Sequence, residues 1–305
     1  MTPDELKAAV RTRPRLVDGA MGTQLMARGL PSGACGELWN VEHPDRVAAI
    51  HRDYCQAGCD WIITNTFGGS SASLERHGLA DRAAELNRAA ARLAREALDD
   101  HVVVLGDIGP FGGFLEPYGE MAPERLLEVF SEQAAALAEG GADAFIIETM
   151  ADTRELQIAV QAARQAGNKA VIATYAFDKS ADGSLRTMMG TTVDEAIATA
   201  IEAGADMVGA NCGTSLSLDD YVQLAEQLVA AAGQTPVILE PNAGAPQNVD
   251  GQLVYPATPE AMAEIVPRLL AAGVRAIGGC CGTTPDHLRA MRDALDRYIS
   301  ALEPS

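Results

Sequence analysis

Eight times along this chain a short run rich in β-branched and other apolar residues gives way to a longer stretch with apolar residues at helical spacing. That alternation restricts the fold more than any other feature, because the hydrophobic period switches from 2 to 3.6 and back at each step. The strand-like runs occupy 15–21 (RLVDGAM), 61–67 (WIITNTF), 102–109 (VVVLGDIG), 144–150 (AFIIETM), 170–177 (AVIATYAF), 207–213 (MVGANCG), 236–244 (PVILEPNAG) and 276–282 (AIGGCCG). The intervening stretches, such as PDRVAAIHRDYCQAG and TPEAMAEIVPRLLAAG, carry Pro or Asp near the start, as helix N-termini prefer. Several end in a glycine pair member, at Gly58, Gly141, Gly204 and Gly273, the residue expected just past a helix. Eight such units in 305 residues are the count of a (β/α)8 TIM barrel. A doubly wound open sheet has fewer strands and a G-x-G-x-x-G turn after the first, and DGAMGTQL does not fit that pattern. No linker rich in Pro, Ser or Gly and no low-complexity segment divides the chain, so we expect one α/β domain over 1–305.

Composition narrows the function classes. The chain has 23 Lys and Arg against 42 Asp and Glu, a formal net charge of −19, which repels polyanions and disfavours nucleic acid as a partner. No stretch approaches the roughly 20 apolar residues of a membrane span, and MTPDELKAAVRTRPRL lacks the apolar core of a secretory signal, so a cytoplasmic location is expected. Six cysteines without the dense spacing of a secreted mini-domain then point to reduced thiols or metal ligation rather than a disulfide framework.

In a barrel of this kind the chemistry sits at the C-terminal ends of the strands. Those ends carry Asp18, Asn65, Thr66, Asp107, Glu148, Asn211, Cys212, Glu240, Asn242, Cys280 and Cys281, and such groups are costly to desolvate unless they bind something. Cys212 and the Cys280–Cys281 pair lie about 70 residues apart, yet they end strands that a barrel separates by one position. Three thiolates meeting there suit a tetrahedral Zn²⁺ whose fourth position is open to substrate. Side chains alternate faces on a regular strand, so adjacent cysteines share one ion only if the backbone bends, which Gly278, Gly279 and Gly282 permit. Each cysteine alone also reads as a small buried hydrophobe. That packing reading is the preferred one for Cys55 and Cys59 beside Ile50 and Tyr54; Cys35 lies in a loop and is left open. Asp18 also reads as a turn residue before Gly19, and Asn211, Glu240 and Asn242 read equally as groups that hold the loops. His51, His77 and His287 are expected at the surface or as caps.

The segments DGAMGTQL, ELWN, HRDYCQAGCDWIITNTFG, ANCG, EPNAG and GGCCGTTPDH resemble the homocysteine S-methyltransferase family over nearly the whole chain. The resemblance implies a (β/α)8 barrel with Zn²⁺ held by Cys212, Cys280 and Cys281, and an ammonium group of homocysteine held by Asp18 and Glu148, with Asn211 in the same substrate-binding set. It implies zinc-dependent methyl transfer to the homocysteine thiol, giving methionine. Members of the family differ in methyl donor. In the betaine-using branch aromatic residues stand where this chain has Gly68 and Thr149, so the cage for a quaternary ammonium is missing. EPNAGAPQ and VYPATPEAMAE look closer to the homocysteine module of cobalamin-dependent methionine synthase, which makes a separate methylated corrinoid protein the expected donor. Betaine or S-methylmethionine as donor, a demethylase passing methyl groups from a small methylated compound to a carrier, and a non-catalytic zinc-binding scaffold or sensor are the alternatives.

Overall fold

The computed structural model describes residues 1–249 and 252–302. Eight parallel strands form the central sheet: β1 Arg15–Leu16, β2 Trp61–Ile63, β3 Val103–Ile108, β4 Ala144–Met150, β5 Val171–Tyr175, β6 Met207–Asn211, β7 Val237–Glu240 and β8 Ala276–Ile277. From β2 to β8 each strand pairs with the next in sequence, and β8 pairs with β1. A parallel bridge between Val17 and Trp61, with the Asp18 N–H donating to the Trp61 carbonyl at 3.1 Å, joins β1 to β2 and brings the sheet round on itself. Eight helices cover the outside: α1 Pro44–Gln56, α2 Ala83–Ala97, α3 Pro123–Glu139, α4 Thr153–Gln165, α5 Val193–Glu202, α6 Leu218–Ala232, α7 Pro259–Ala272 and α8 Pro285–Leu302. The expected TIM barrel is the observed fold.

Local chemistry accounts for the helix ends. Proline opens α1, α3 and α7, while Thr192 and Ser217 build reciprocal capping boxes at α5 and α6. Gly58, Gly141, Gly204 and Gly273 all take the positive φ expected of them beyond helix ends.

The two-residue period of the strands then sorts the side chains. One buried cluster joins Val17, Trp61, Leu105, Ala144, Ile146, Ile172, Met207, Ile238 and Ala276, which point into the barrel. A separate helix, Pro3–Thr12, adds Leu6 and Val10 to that cluster. It closes the N-terminal end, where the Met1 carbonyl accepts from Ala170 N–H at 2.9 Å. The alternate residues, among them Ile62, Phe145, Ile147, Val208, Val237 and Leu239, pack against the helices. Asp107 stands two residues beyond Leu105, Glu148 two beyond Ile146, Glu240 two beyond Ile238, and Asn211 four beyond Met207. The same face that is apolar at the bottom is therefore acidic and amide-bearing at the top. Burying an aliphatic side chain at such a position stabilises by about 1.5–3 kcal/mol, whereas a carboxylate there costs desolvation.

The observed strands stop short of several of the sequence-based runs. The run 15–21 shrinks to Arg15–Leu16, because a helix Met21–Ala27 begins within it, and 276–282 shrinks to Ala276–Ile277. Two antiparallel hairpins, pairing 178–179 with 185–186 and 247–249 with 252–254, rise from the loops after β5 and β7. His51 departs from its expected surface position: Val47, Ile50, His51 and Tyr54 share the inner stripe of α1, and the imidazole is fully buried. Cys55 and Cys59 both pack in the outer core, with Cys59 in the turn beyond α1 rather than on it. No described helix is long and apolar enough to cross a membrane.

Candidate metal and substrate site

The C-terminal ends of the strands open onto a cavity of about 730 Å³. Its wall includes Asp18, Asp107, Glu148 and Glu240 together with Cys212, Cys280 and Cys281. The three Sγ atoms lie within 4.8 Å of one another, with Cys212 and Cys281 3.9 Å apart. Loop hydrogen bonds set this arrangement. The Cys280 N–H donates to Pro241 O at 2.8 Å, and Cys281 O accepts from Ala243 N–H at 2.9 Å. The Thr283 hydroxyl donates to Cys280 O at 2.8 Å and accepts from Ala20 N–H at 3.0 Å. On the β6 side the Tyr221 hydroxyl donates to Cys212 O at 2.5 Å and accepts from Asn242 N–H at 3.2 Å. Neither Tyr221 nor Thr283 stood out in the sequence, since nothing in their spacing shows that their hydroxyls reach the cysteine backbone.

Among the described residues, Thr149 and Cys212 are the two that adopt positive φ without being glycine, at +62° and +58°. Both flank or form the site. Such left-handed backbone costs of order 1 kcal/mol or more and persists where surrounding contacts over-determine it.

Asn211 supplies much of that determination. Its Oδ1 accepts from Thr149 N–H and from the Thr174 hydroxyl, both at 2.8 Å. Its Nδ2 lies 2.6 Å from Glu148 Oε2, 2.7 Å from Thr149 Oγ1 and 3.8 Å from the Cys280 sulfur. The side chain is 1% exposed and sits behind Glu148 rather than on the cavity wall. Asp18 is anchored by one oxygen, which accepts from Ile63 N–H at 3.1 Å.

Electrostatically the acid side is short of positive charge. Burial, followed by repulsion from neighbouring carboxylates, pushes Asp107 and Glu240 well above the usual range. Burial does the same for Asp18 and raises Glu148 to about 7. Asp18 Oδ1, Asp107 Oδ1, both Glu240 carboxylate oxygens and Asn242 Oδ1 are buried without a partner in the protein. Buried acceptors of this kind call for a cation or a donor from a ligand. Hydrogen bonds from Cys212 and then Cys280 hold Cys281 well below the ordinary thiol range, while contacts with Cys212 and Cys281 and burial push Cys280 up. Three sulfurs at this spacing fit a borderline-soft divalent cation such as Zn²⁺.

Residues 15–295 match the family described as homocysteine S-methyltransferase. The chain belongs to this family. It is 34% identical over 318 residues to the methionine synthase of Mycobacterium leprae, covering 98% of this chain and 26% of that protein. It is 33% identical over 325 residues to the methionine synthase of Mycobacterium tuberculosis, covering 99% and 26%. This homocysteine S-methyltransferase chain thus spans about a quarter of the length of these relatives. Among solved structures, the metallated homocysteine methyltransferase MmuM of Escherichia coli shares its fold, with a TM-score of 0.76 at 24% identity over 94% of this chain and 99% of that one.

Of the residues singled out in the sequence, Asp18, Glu148, Cys212, Cys280 and Cys281 meet around the cavity, with Asn211 directly behind them. Asn65 instead holds loops, donating to Gly36 O and to Asn40 Oδ1. Cys35 is buried and donates to Glu37 Oε2 at 3.2 Å. His287 caps the start of α8, bonding Thr284 through Nδ1 and Ala257 O through Nε2.

Proposed function

We propose that this chain transfers a methyl group to the thiol of homocysteine, giving methionine, with Zn²⁺ held by Cys212, Cys280 and Cys281 and the methyl group supplied by a separate methylated corrinoid protein. The observation that carries the reading is a three-sulfur cluster and partnerless buried carboxylates lining one cavity, a donor set that matches a substrate bearing both a thiol and an ammonium group. When bound, Zn²⁺ would lower the pKa of an incoming thiol from about 8.5 and present it as the thiolate.

The chain's own residues supply the rest. Asp18 and Glu148 take the ammonium group, Asp18 through the oxygen left free by Ile63 and Glu148 through a carboxylate held by Asn211. Asn211 acts as a positioning residue, fixing Glu148 and Thr149 together. Glu240, on the strand between those that carry the cysteines, lines the same cavity with both carboxylate oxygens free to accept from a ligand donor.

Betaine fits poorly. A Cβ on Gly68 would lie 2.9 Å from Glu37 Oε1, which accepts from the Gly68 N–H at 2.7 Å, and the Thr149 side chain is committed to Asn211. Support for the corrinoid donor comes from the similarity to methionine synthases and from the motif likeness of 240–247 and 254–264 to their homocysteine module.

The test supplies the protein, zinc and homocysteine with methylcobalamin or a methylated corrinoid protein, betaine, S-methylmethionine or S-adenosylmethionine in turn. Methionine should form with the corrinoid donor; formation only with betaine or a sulfonium would overturn the donor assignment. Cys281→Ala should abolish both bound zinc and turnover, and retention of one zinc per chain would refute the ligand set.

A further inference from the structure

Tyr255 joins the hairpin 247–254 to α7 and reaches back over the sulfur cluster. Its ring rests on Gly282, the residue after the cysteine pair: a Cβ at Gly282 would fall 2.2 Å from Tyr255 Cγ and 2.3 Å from its Cβ. Gly282 also takes φ +82°, and its N–H donates to Thr23 Oγ1 at 3.1 Å. The glycine is therefore required twice, once for its backbone conformation and once to admit the ring. From that seat Tyr255 lines the same cavity as Cys281, with its phenol beside that sulfur.

We propose that Tyr255 is a positioning residue that donates its O–H to the Cys281 sulfur and so tempers the charge of that metal ligand. This rests on the metal reading above. Three thiolates around a divalent cation leave a net charge of −1, and a fourth thiolate from substrate makes it −2, in a cavity that also holds the carboxyl groups of Asp18, Asp107, Glu148 and Glu240. A hydrogen-bond donor at sulfur spreads that charge and lowers the energy of the sulfur lone pair. Asn211 Nδ2 also lies 3.8 Å from Cys280, but its two hydrogens serve Glu148 and Thr149, so Tyr255 is the hydroxyl placed to serve the adjacent pair.

The test uses the full chain loaded with Co²⁺, whose sulfur-to-metal charge-transfer band reports the lone-pair energy of its ligands. Tyr255→Phe keeps the ring on Gly282 and removes only the O–H. Its band should move to longer wavelength and its Co²⁺ and Zn²⁺ affinities should fall about tenfold, as for loss of one hydrogen bond to a charged group. Incorporation of 3,5-difluorotyrosine at 255, a stronger donor, should move the band the other way. A wild-type band and affinity in Tyr255→Phe, with the circular dichroism spectrum unchanged, would overturn the role of Tyr255 while leaving the metal site standing. A wild-type protein that shows no sulfur-to-cobalt band would instead overturn the metal reading itself.

Discussion

Replacing Asn211 by alanine should destabilise the protein far more than the loss of one exposed amide. The amide makes two hydrogen bonds through Oδ1, to Thr149 N–H and the Thr174 hydroxyl, and two short ones through Nδ2, to Glu148 and Thr149 Oγ1. Three of these are neutral and worth about 1 kcal/mol each net; the one to a carboxylate is worth about 1.5–3 kcal/mol. The sum is roughly 5 kcal/mol, and because three of the four partners adjoin one another, non-additivity brings the expectation to about 3–5 kcal/mol. Part of the loss is offset when Thr149, released from its left-handed conformation, relaxes. The measurement is urea unfolding of chelator-treated protein, which removes any contribution from metal, with Thr174→Val as a partial deletion expected to cost about 1 kcal/mol. A loss below about 1 kcal/mol for Asn211→Ala at unchanged m-value would show that these contacts are not what holds the top of β4 against β6, and the reasoning would fail.

Glu148→Gln should leave the fold intact but weaken homocysteine binding about 10- to 100-fold, the scale of one charge-assisted hydrogen bond; calorimetry showing wild-type affinity would remove Glu148 from the substrate site. His51 is fully buried, and burial lowers its pKa from 6.5 to about 4. The folded state therefore stays neutral while the unfolded chain takes up a proton below about 6.5, so stability drains as pH falls from 6.5 toward 4, by on the order of 3 kcal/mol. His51→Leu should flatten that part of the pH profile, and a variant with the wild-type slope between pH 7 and 5 would sink the assignment. Glu155 accepts from Phe111 N–H at 2.8 Å and ties the loop after β3 to α4. In Glu155→Ala the Phe111 amide should exchange at least about tenfold faster, and unaltered exchange would count against this anchor.

What was legible in the sequence and what was not divide along a physical line. The barrel could be read because a two-residue period persists through each strand, so that Asp107 above Leu105, Glu148 above Ile146 and Glu240 above Ile238 share one face by spacing alone. Strand ends were overestimated because β-branched and small residues continue into loops such as 17–20 and 278–282, where cross-strand contacts and helix starts, not propensity, stop the ladder. His51 was misplaced although its i, i+3, i+4 neighbours Val47, Ile50 and Tyr54 marked the inner stripe; the usual habit of histidine was preferred over the period it sat in. Tyr221, Tyr255 and Thr283 were out of reach for a different reason. Tyr221 reaches the Cys212 carbonyl from helix α6, Thr283 ties the Cys280 carbonyl to the Ala20 amide, and Tyr255 leans on Gly282 from the loop before α7; no one-dimensional spacing encodes which element leans on which. Strand chemistry is thus readable wherever the pleat carries it. The groups that orient the ligands come from the loops and from the first turn of the following helix, so an aromatic or hydroxyl residue between a strand end and that first turn is where sequence-based site assignments of this fold should search next.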